Sequence, residues 1–453
     1  MNTLGNGIVI TNDDTIGVLQ NGAVVYAHGK IVAVGDTAEI RGMYPNAAFV
    51  DVQGKVIMPG LVNTHTHIYS AMARGMFLKH AKVSHNFNEV LENLWWQVDR
   101  ELTLDDVRYS AYHTYMEGIR FGVTTVFDHH ASFREGAVLG SLEEISKVAR
   151  ELGVRTSLCF EVSDRNGAEL SRESIEENVR HIRAVQAAND PLQSAMFGLH
   201  ASFTVKEDTL AQAAEAGHEL GLGFHVHTAE GPADAAHCLE THGKRIVQRF
   251  YDHGILGAKS IAVHCVHVDE EEIALLAETD TAVVHNPESN MGNAVGCANV
   301  PRLLRAGILV GLGTDAYTQD MFESLKVANI LHKHQAGDPS ATGGEIQGML
   351  LRNNPAIAGR HFEMPVGQLT PGYTADLVVM DYIPNTPLDS VNYTGHMTFG
   401  FSGAMVCGTI IAGRTVYWGR QFVDVDEAKI YAESRRHAEG LWQRLDGQLT
   451  VDN

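Results

Sequence analysis

The chain has 453 residues, 44% of them hydrophobic and 20% charged, with no low-complexity tract, and that length exceeds what one core usually fills, so two domains are expected. Thirty-four Lys and Arg against 55 Asp and Glu leave a formal charge of −21, which repels phosphate backbones and anionic lipid and argues against nucleic acid or a membrane surface as partner. The N-terminal MNTLGNGIVITNDD has no basic region leading into an apolar core, no apolar run nears the roughly 20 residues of a membrane helix, and the five cysteines form no CxxC pair, so a cytoplasmic chain with reduced thiols is expected.

Residues 7–58 alternate apolar and polar side chains around Gly-centred turns, as in AVVYAHGKIVAVG, which predicts antiparallel strands. From residue 60 to about 320 a short β-branched run followed by an amphipathic helical stretch recurs eight times. The predicted strands are Leu61–His67, Val123–Asp128, Arg155–Glu161, Met196–Phe203, Gly223–His227, Ile261–Cys265, Ala282–His285 and Leu309–Asp315. Between the first strand and its helix, residues 70–103 are too long for a simple connection, carry Trp95 and Trp96, and are expected to shape a pocket as a loop. In LTLDDVRYSAYHTYMEGIRFG, Leu104, Val107, Ala111 and Ile119 fall near helical spacing, as on a barrel wall.

Residues 373–423 return to alternation, and about Asp426–Leu445 form an amphipathic helix expected to cover the terminal strands. The expected fold is α/β: a (β/α)8 TIM-type barrel over residues 59–364, with a small β-sandwich domain formed from both termini, 1–58 plus 365–453.

Chemistry-bearing side chains fall at the predicted carboxyl ends of the strands, where barrels of this kind place their sites. The chain has 24 histidines, several in HxH pairs, a grouping that invites a metal reading. PGLVNTHTH puts His65 and His67 on one side of the first strand, and GFHVHTAE does the same for His225 and His227, either of which could coordinate, with Glu230 just beyond. AVHCVHV offers His264 and His267, and GLGTD offers Asp315. Singly each is weak, since a buried His is commonly a satisfied core residue and GTD a turn; four such groups at strand ends are much less easily coincidental.

The ordered run PGLVNTHTH, HTAE, AVHCVH, HNPESN and GLGTDA resembles the amidohydrolase superfamily, in its cytosine deaminase-like and chlorohydrolase-like branch. NLWWQVDREL, VFDHHASF, CFEVSDRN and TDAYTQDMFESLK are similar to SsnA-type aminohydrolases, associated with purine catabolism. The resemblance implies metal ligands His65, His67, His227 and Asp315, with His264 near the metal-bound water and Glu230 as proton shuttle. It implies one divalent ion, Zn2+ with Fe2+ as alternative, that makes hydroxide available to attack an amidine-like ring carbon and release ammonia. Asp315 would accept the water proton, Glu230 protonate the adjacent ring nitrogen, and His264 orient the hydroxide.

The same resemblance places His200 of LHASFTV at the pocket, bonded to a substrate carbonyl or ring nitrogen. Arg165 of SDRN, Trp95 and the pair His129–His130 are further substrate-side candidates. No Lys lies between Lys147 and Lys206, which removes the carbamylated lysine that bridges two metals in many relatives, while Glu161 is open between a second metal and substrate binding. The expected activity is hydrolytic deamination of a small heterocycle such as a purine, pterin or pyrimidine, by a cytoplasmic homo-oligomer taken as a dimer. Hydrolytic dehalogenation, cyclic amide hydrolysis and an inactive binding protein are the alternatives; halide would leave without the proton that Glu230 supplies.

Overall fold

The computed structural model describes residues 1–79 and 81–451. Eight parallel strands make up its centre: Leu61–Thr66, Val123–His130, Arg155–Phe160, an interrupted fourth of Gln193–Ala195 and Phe197–Ala201, Phe224–Thr228, Ile261–His264, Ala282–His285 and Val310–Leu312. Ladders run from the first to the fourth and from the fourth to the eighth; the bridges Val162 to Leu199 and Thr66 to Asp315 close the ring. Every residue of these strands is buried, because side chains fill the interior while helices cover the outside.

The helices start where side chains can satisfy their free amides. Thr103 and Asp106 form a reciprocal capping box ahead of Leu104–Arg120, and Asp269 with Glu272 does the same ahead of Glu270–Glu278.

Both termini feed one continuous nine-stranded sheet. Val56–Pro59 joins its halves, running parallel to Asn2–Ile10 and antiparallel to Leu377–Met380. Leu4, Val24, Ile57, Leu377 and Ile410 share its core. A buried ion pair ties this sheet to the barrel: Arg155, at the start of the third barrel strand, meets Asp376, which also accepts from the Ala412 amide at 2.7 Å.

Two expectations differ from the structure. The C-terminal helix, Glu427–Val451, docks on the barrel helix Leu104–Arg120 rather than over the terminal strands. Polar anchors decide this: Arg444 bonds Asp106 at 2.5 Å, and Trp442 Nε1 donates to Met72 O at 2.8 Å. The stretch 70–103 is largely helical, with Ile68–Ala73, Phe87–Val90, the π-helical Leu91–Trp95 and Trp96–Glu101. Phe87, Leu91 and Trp95, four apart, bring one apolar face to the mouth of the barrel. No described helix is long and apolar enough to cross a membrane.

Candidate metal centre and substrate recess

The first strand delivers His65 and, one residue past its end, His67; the fifth delivers His227, and the turn after the eighth delivers Asp315. Hydrogen bonds behind the rings set which nitrogen faces inward. His67 Nδ1 donates to His129 O at 2.6 Å, and His227 Nδ1 donates to His200 O at 2.9 Å. Both rings must therefore carry a lone pair on Nε2, yet these two nitrogens stand 3.2 Å apart. Asp315 Oδ1 lies 3.3 Å from His67 Nε2, and His65 Nε2 is buried with no hydrogen-bond partner. Four lone-pair donors crowded in a buried space repel one another unless a cation lies among them. The 3.2–3.3 Å separations match the edges of a tetrahedral shell with bonds of about 2.0 Å, the geometry of nitrogen and oxygen ligands on zinc.

Of the two histidines in GFHVHTAE, His227 faces the cluster, while His225 Nε2 supports His65 Nδ1 from behind at 2.9 Å. Burial first, then the neighbouring imidazoles, hold His65 and His227 well below the ordinary histidine pKa, so both rings present neutral nitrogen.

Glu230 and His264 sit on the open side. His264 Nε2 is 3.4 Å from Glu230 Oε2 and 3.7 Å from Asp315 Oδ2. The Asn290 amide nitrogen donates to His264 Nδ1 at 2.9 Å, which keeps the ring proton on Nε2, facing those carboxylates. Burial pushes His264 down to about 4. Burial, with Asp315 and Asp234 nearby, raises the Glu230 carboxyl well above the usual range.

The backbone is strained at the same places: Ala229, His264 and Asp315 have φ of 48°, 72° and 53°. Such conformations cost about 1–3 kcal/mol each and persist where surrounding structure enforces them. Asp315 is enforced from the first strand, its amide donating to His65 O at 3.0 Å and its carbonyl accepting from Thr66 Oγ1 at 2.8 Å. Gly313 is needed here for space, since a Cβ on it would lie 2.4 Å from Asn286 Oδ1 and 2.9 Å from His65 Cβ.

The Amidohydrolase family profile matches residues 56–416, and an imidazolonepropionase-like composite domain of bacteria matches residues 22–47. The chain belongs to the amidohydrolase family. This amidohydrolase is 31% identical over 447 residues to a 5'-deoxyadenosine deaminase of Methanosarcina acetivorans, covering 97% of this chain and 98% of that one. It is 30% identical over 442 residues to a 5-methylthioadenosine/S-adenosylhomocysteine deaminase of Pelotomaculum thermopropionicum, covering 96% and 98%. Among solved structures, an adenosine deaminase from Xanthomonas campestris with bound zinc superposes with a TM-score of 0.84 at 25% identity, covering 97% and 98%.

Above the cluster this amidohydrolase has a recess that opens at its mouth. Tyr69, Leu91, Trp95 and Phe203 supply its apolar wall; His200 and Glu161 supply polar groups beside the cluster. Trp95 and His200 both line this recess. Arg165 does not line the recess, which corrects its place among the substrate-side candidates. It is buried behind Glu161, ion-paired to Asp99 at 2.5 Å and stacked on Phe133 at 4.5 Å, because a guanidinium this deep needs a counter-charge. Trp96 packs against it from the other side, 5.5 Å from its guanidinium carbon.

Glu161 is the residue whose role the sequence left open. Its Oε1 lies 3.2 Å from His129 Nδ1, and His129 Nε2 meets His225 O at 3.0 Å. His67, His129, Glu161 and His227 are close enough to form a second ligand group, but each Nε2 lone pair of His67 and His227 serves one ion only. A second cation would be left with His129 and Glu161, two protein ligands where a closed site uses four.

Proposed function

We propose that this amidohydrolase is a hydrolytic deaminase of a small purine-like heterocycle, working with one divalent metal ion, zinc in first place. His65, His67, His227 and Asp315 are assigned to hold the ion, and the observation that carries this is the pair of unprotonated nitrogens, His67 Nε2 and His227 Nε2, held 3.2 Å apart. A divalent cation bound there lowers the pKa of a coordinated water to near neutrality and so supplies a nucleophile at physiological pH.

The chain's own groups handle the protons and the developing charge. Asp315 accepts the proton of the attacking water. Glu230, kept neutral by burial and by nearby carboxylates, gives its proton to the ring nitrogen beside the reacting carbon. The His264 Nε2 proton points at the same space and stabilises the oxygen that becomes the product carbonyl. The proton taken up by Asp315 passes to the amine, which leaves as ammonia, and the hydroxyl proton on the new C–O bond returns to Glu230 as the carbonyl forms. A halide needs no such donor, so the Glu230 carboxyl favours an amine as leaving group. The names of the sequence relatives, deaminases of adenosine derivatives, support the same reading.

The acidic balance of −21 supports a small-molecule substrate over nucleic acid, and all five cysteines are free thiols, as a cytoplasmic setting would have them. Exposed Ile383, Val391 and Phe399 on one C-terminal stretch support a homodimer, which sedimentation would test.

The direct test is ammonia release from a panel of amino-purines, pterins and pyrimidines, with metal analysis of the purified protein. The reading fails if no compound yields ammonia, or if metal is well below one equivalent and added zinc activates nothing.

A further inference from the structure

The two oxygens of Glu161 differ in their surroundings. Oε1 lies 3.2 Å from His129 Nδ1 and 3.5 Å from His67 Nδ1. Oε2 has only Arg165 Nη1 at 3.7 Å and His200 Nε2 at 3.8 Å near it, both beyond hydrogen-bond reach. Glu161 is 2% exposed yet lines the recess together with His200, His67 and His227.

His200 does not supply the missing donor. Its Nδ1 is 2.7 Å from Thr204 Oγ1, and the Thr204 hydroxyl donates to Ala201 O at 3.1 Å. The ring proton therefore sits on Nδ1, and Nε2 turns a lone pair toward the recess. Two acceptors 3.8 Å apart thus face the same enclosed space with no donor between them. Arg165 balances charge from behind, but its Nη1 is itself without a hydrogen-bond partner. A buried carboxylate oxygen left this way is unfavourable by more than an ordinary hydrogen bond, and a bound molecule carrying N–H relieves it.

We propose that Glu161 Oε2, with His200 Nε2 beside it, reads a ring N–H or exocyclic amine on the substrate, so that this enzyme acts on amino-heterocycles bearing a lactam N–H or a second amine. This rests on the deaminase reading and narrows it. Apart from the amine that leaves, every ring nitrogen of an adenosine-type nucleoside is an acceptor, and such a ring would set a lone pair or a C–H against the carboxylate. Discrimination is strong in this direction because a mismatched substrate leaves the polar groups of the site unpaired.

The test uses matched pairs differing in one hydrogen: guanine with 1-methylguanine, and 8-oxoadenine with 7-methyl-8-oxoadenine, alongside 5'-deoxyadenosine. Zinc-loaded wild type and Glu161→Gln are compared by ammonia release. For wild type, kcat/KM is expected to favour the N–H member over its methylated partner, and over 5'-deoxyadenosine, by about 10- to 100-fold. In Glu161→Gln that ratio should collapse toward unity at unchanged zinc content. A purely structural role for Glu161 would lower both members of a pair by the same factor, and that result overturns the proposal. So does wild-type turnover of 5'-deoxyadenosine as efficient as that of the N–H-bearing rings. If no compound releases ammonia, the deaminase reading fails by itself; calorimetric binding of the same pairs to the two proteins still reads the ratio and decides the role of Glu161.

Discussion

His225 Nε2 lies 2.9 Å from His65 Nδ1, directly behind the ring nitrogen that faces the metal cluster. Orientation of a ligand by such a contact is commonly worth about 10–100-fold in metal affinity. His225→Leu should therefore weaken zinc binding by about that factor in a competition titration, while the zinc-saturated protein stays active. Unchanged affinity would show that packing alone holds His65.

Glu230→Gln should lower kcat by about 10²–10⁴-fold with zinc content intact, because the amide keeps the shape and loses the proton. The pH profile gives a second check. Burial, with Asp315 and Asp234 close by, raises the Glu230 carboxyl, so its acid form persists to higher pH than that of a free carboxyl and is lost as pH rises. Activity that depends on the acid form should fall on the alkaline side of the profile. A profile that rose with pH through that range, with no falling limb in wild type, would remove Glu230 as the acid.

Gly313→Ala should damage the site without unfolding the barrel. The new methyl would lie 2.4 Å from Asn286 Oδ1 and 2.9 Å from His65 Cβ, so His65 or the turn carrying Asp315 must move. A displacement near 1 Å at reacting groups costs about 100-fold in rate. Circular dichroism should be unchanged while zinc retention and kcat both drop. A fully active variant would mean that the close approach is relieved elsewhere.

Arg155→Met should cost about 3–5 kcal/mol, since it strands Asp376 as an uncompensated buried charge between barrel and terminal sheet. Arg155→Met with Asp376→Leu should recover much of that loss. Thermal unfolding of the three proteins decides it; a double variant as unstable as the single one would show that the pair contributes beyond mutual neutralisation.

Much of the barrel was legible from residue pattern. Strand starts from Leu61 to Val310 fall within a residue or three of expectation, because short β-branched runs recur between helical stretches. The helical course of residues 87–101 was not legible: its exposed side is polar, and Phe87, Leu91 and Trp95 are apolar toward the recess rather than toward a core. The docking of Glu427–Val451 was also hidden, since Arg444 and Asp106 are 338 positions apart.

Alternation along a strand was enough to put His65 beside His67 and His225 beside His227 on common sides, because side-chain direction repeats every two residues. The order of the motifs named the chemistry. The motif resemblance pointed to His227, and only the tertiary structure put His225 behind His65, withdrew Arg165 from the recess and turned one oxygen of Glu161 toward it, because each outcome depends on which partner a distant strand brings near. Direction along a chain is local, whereas the protonated nitrogen of a ring and the partner of a buried charge are decided by groups that meet only when the barrel closes.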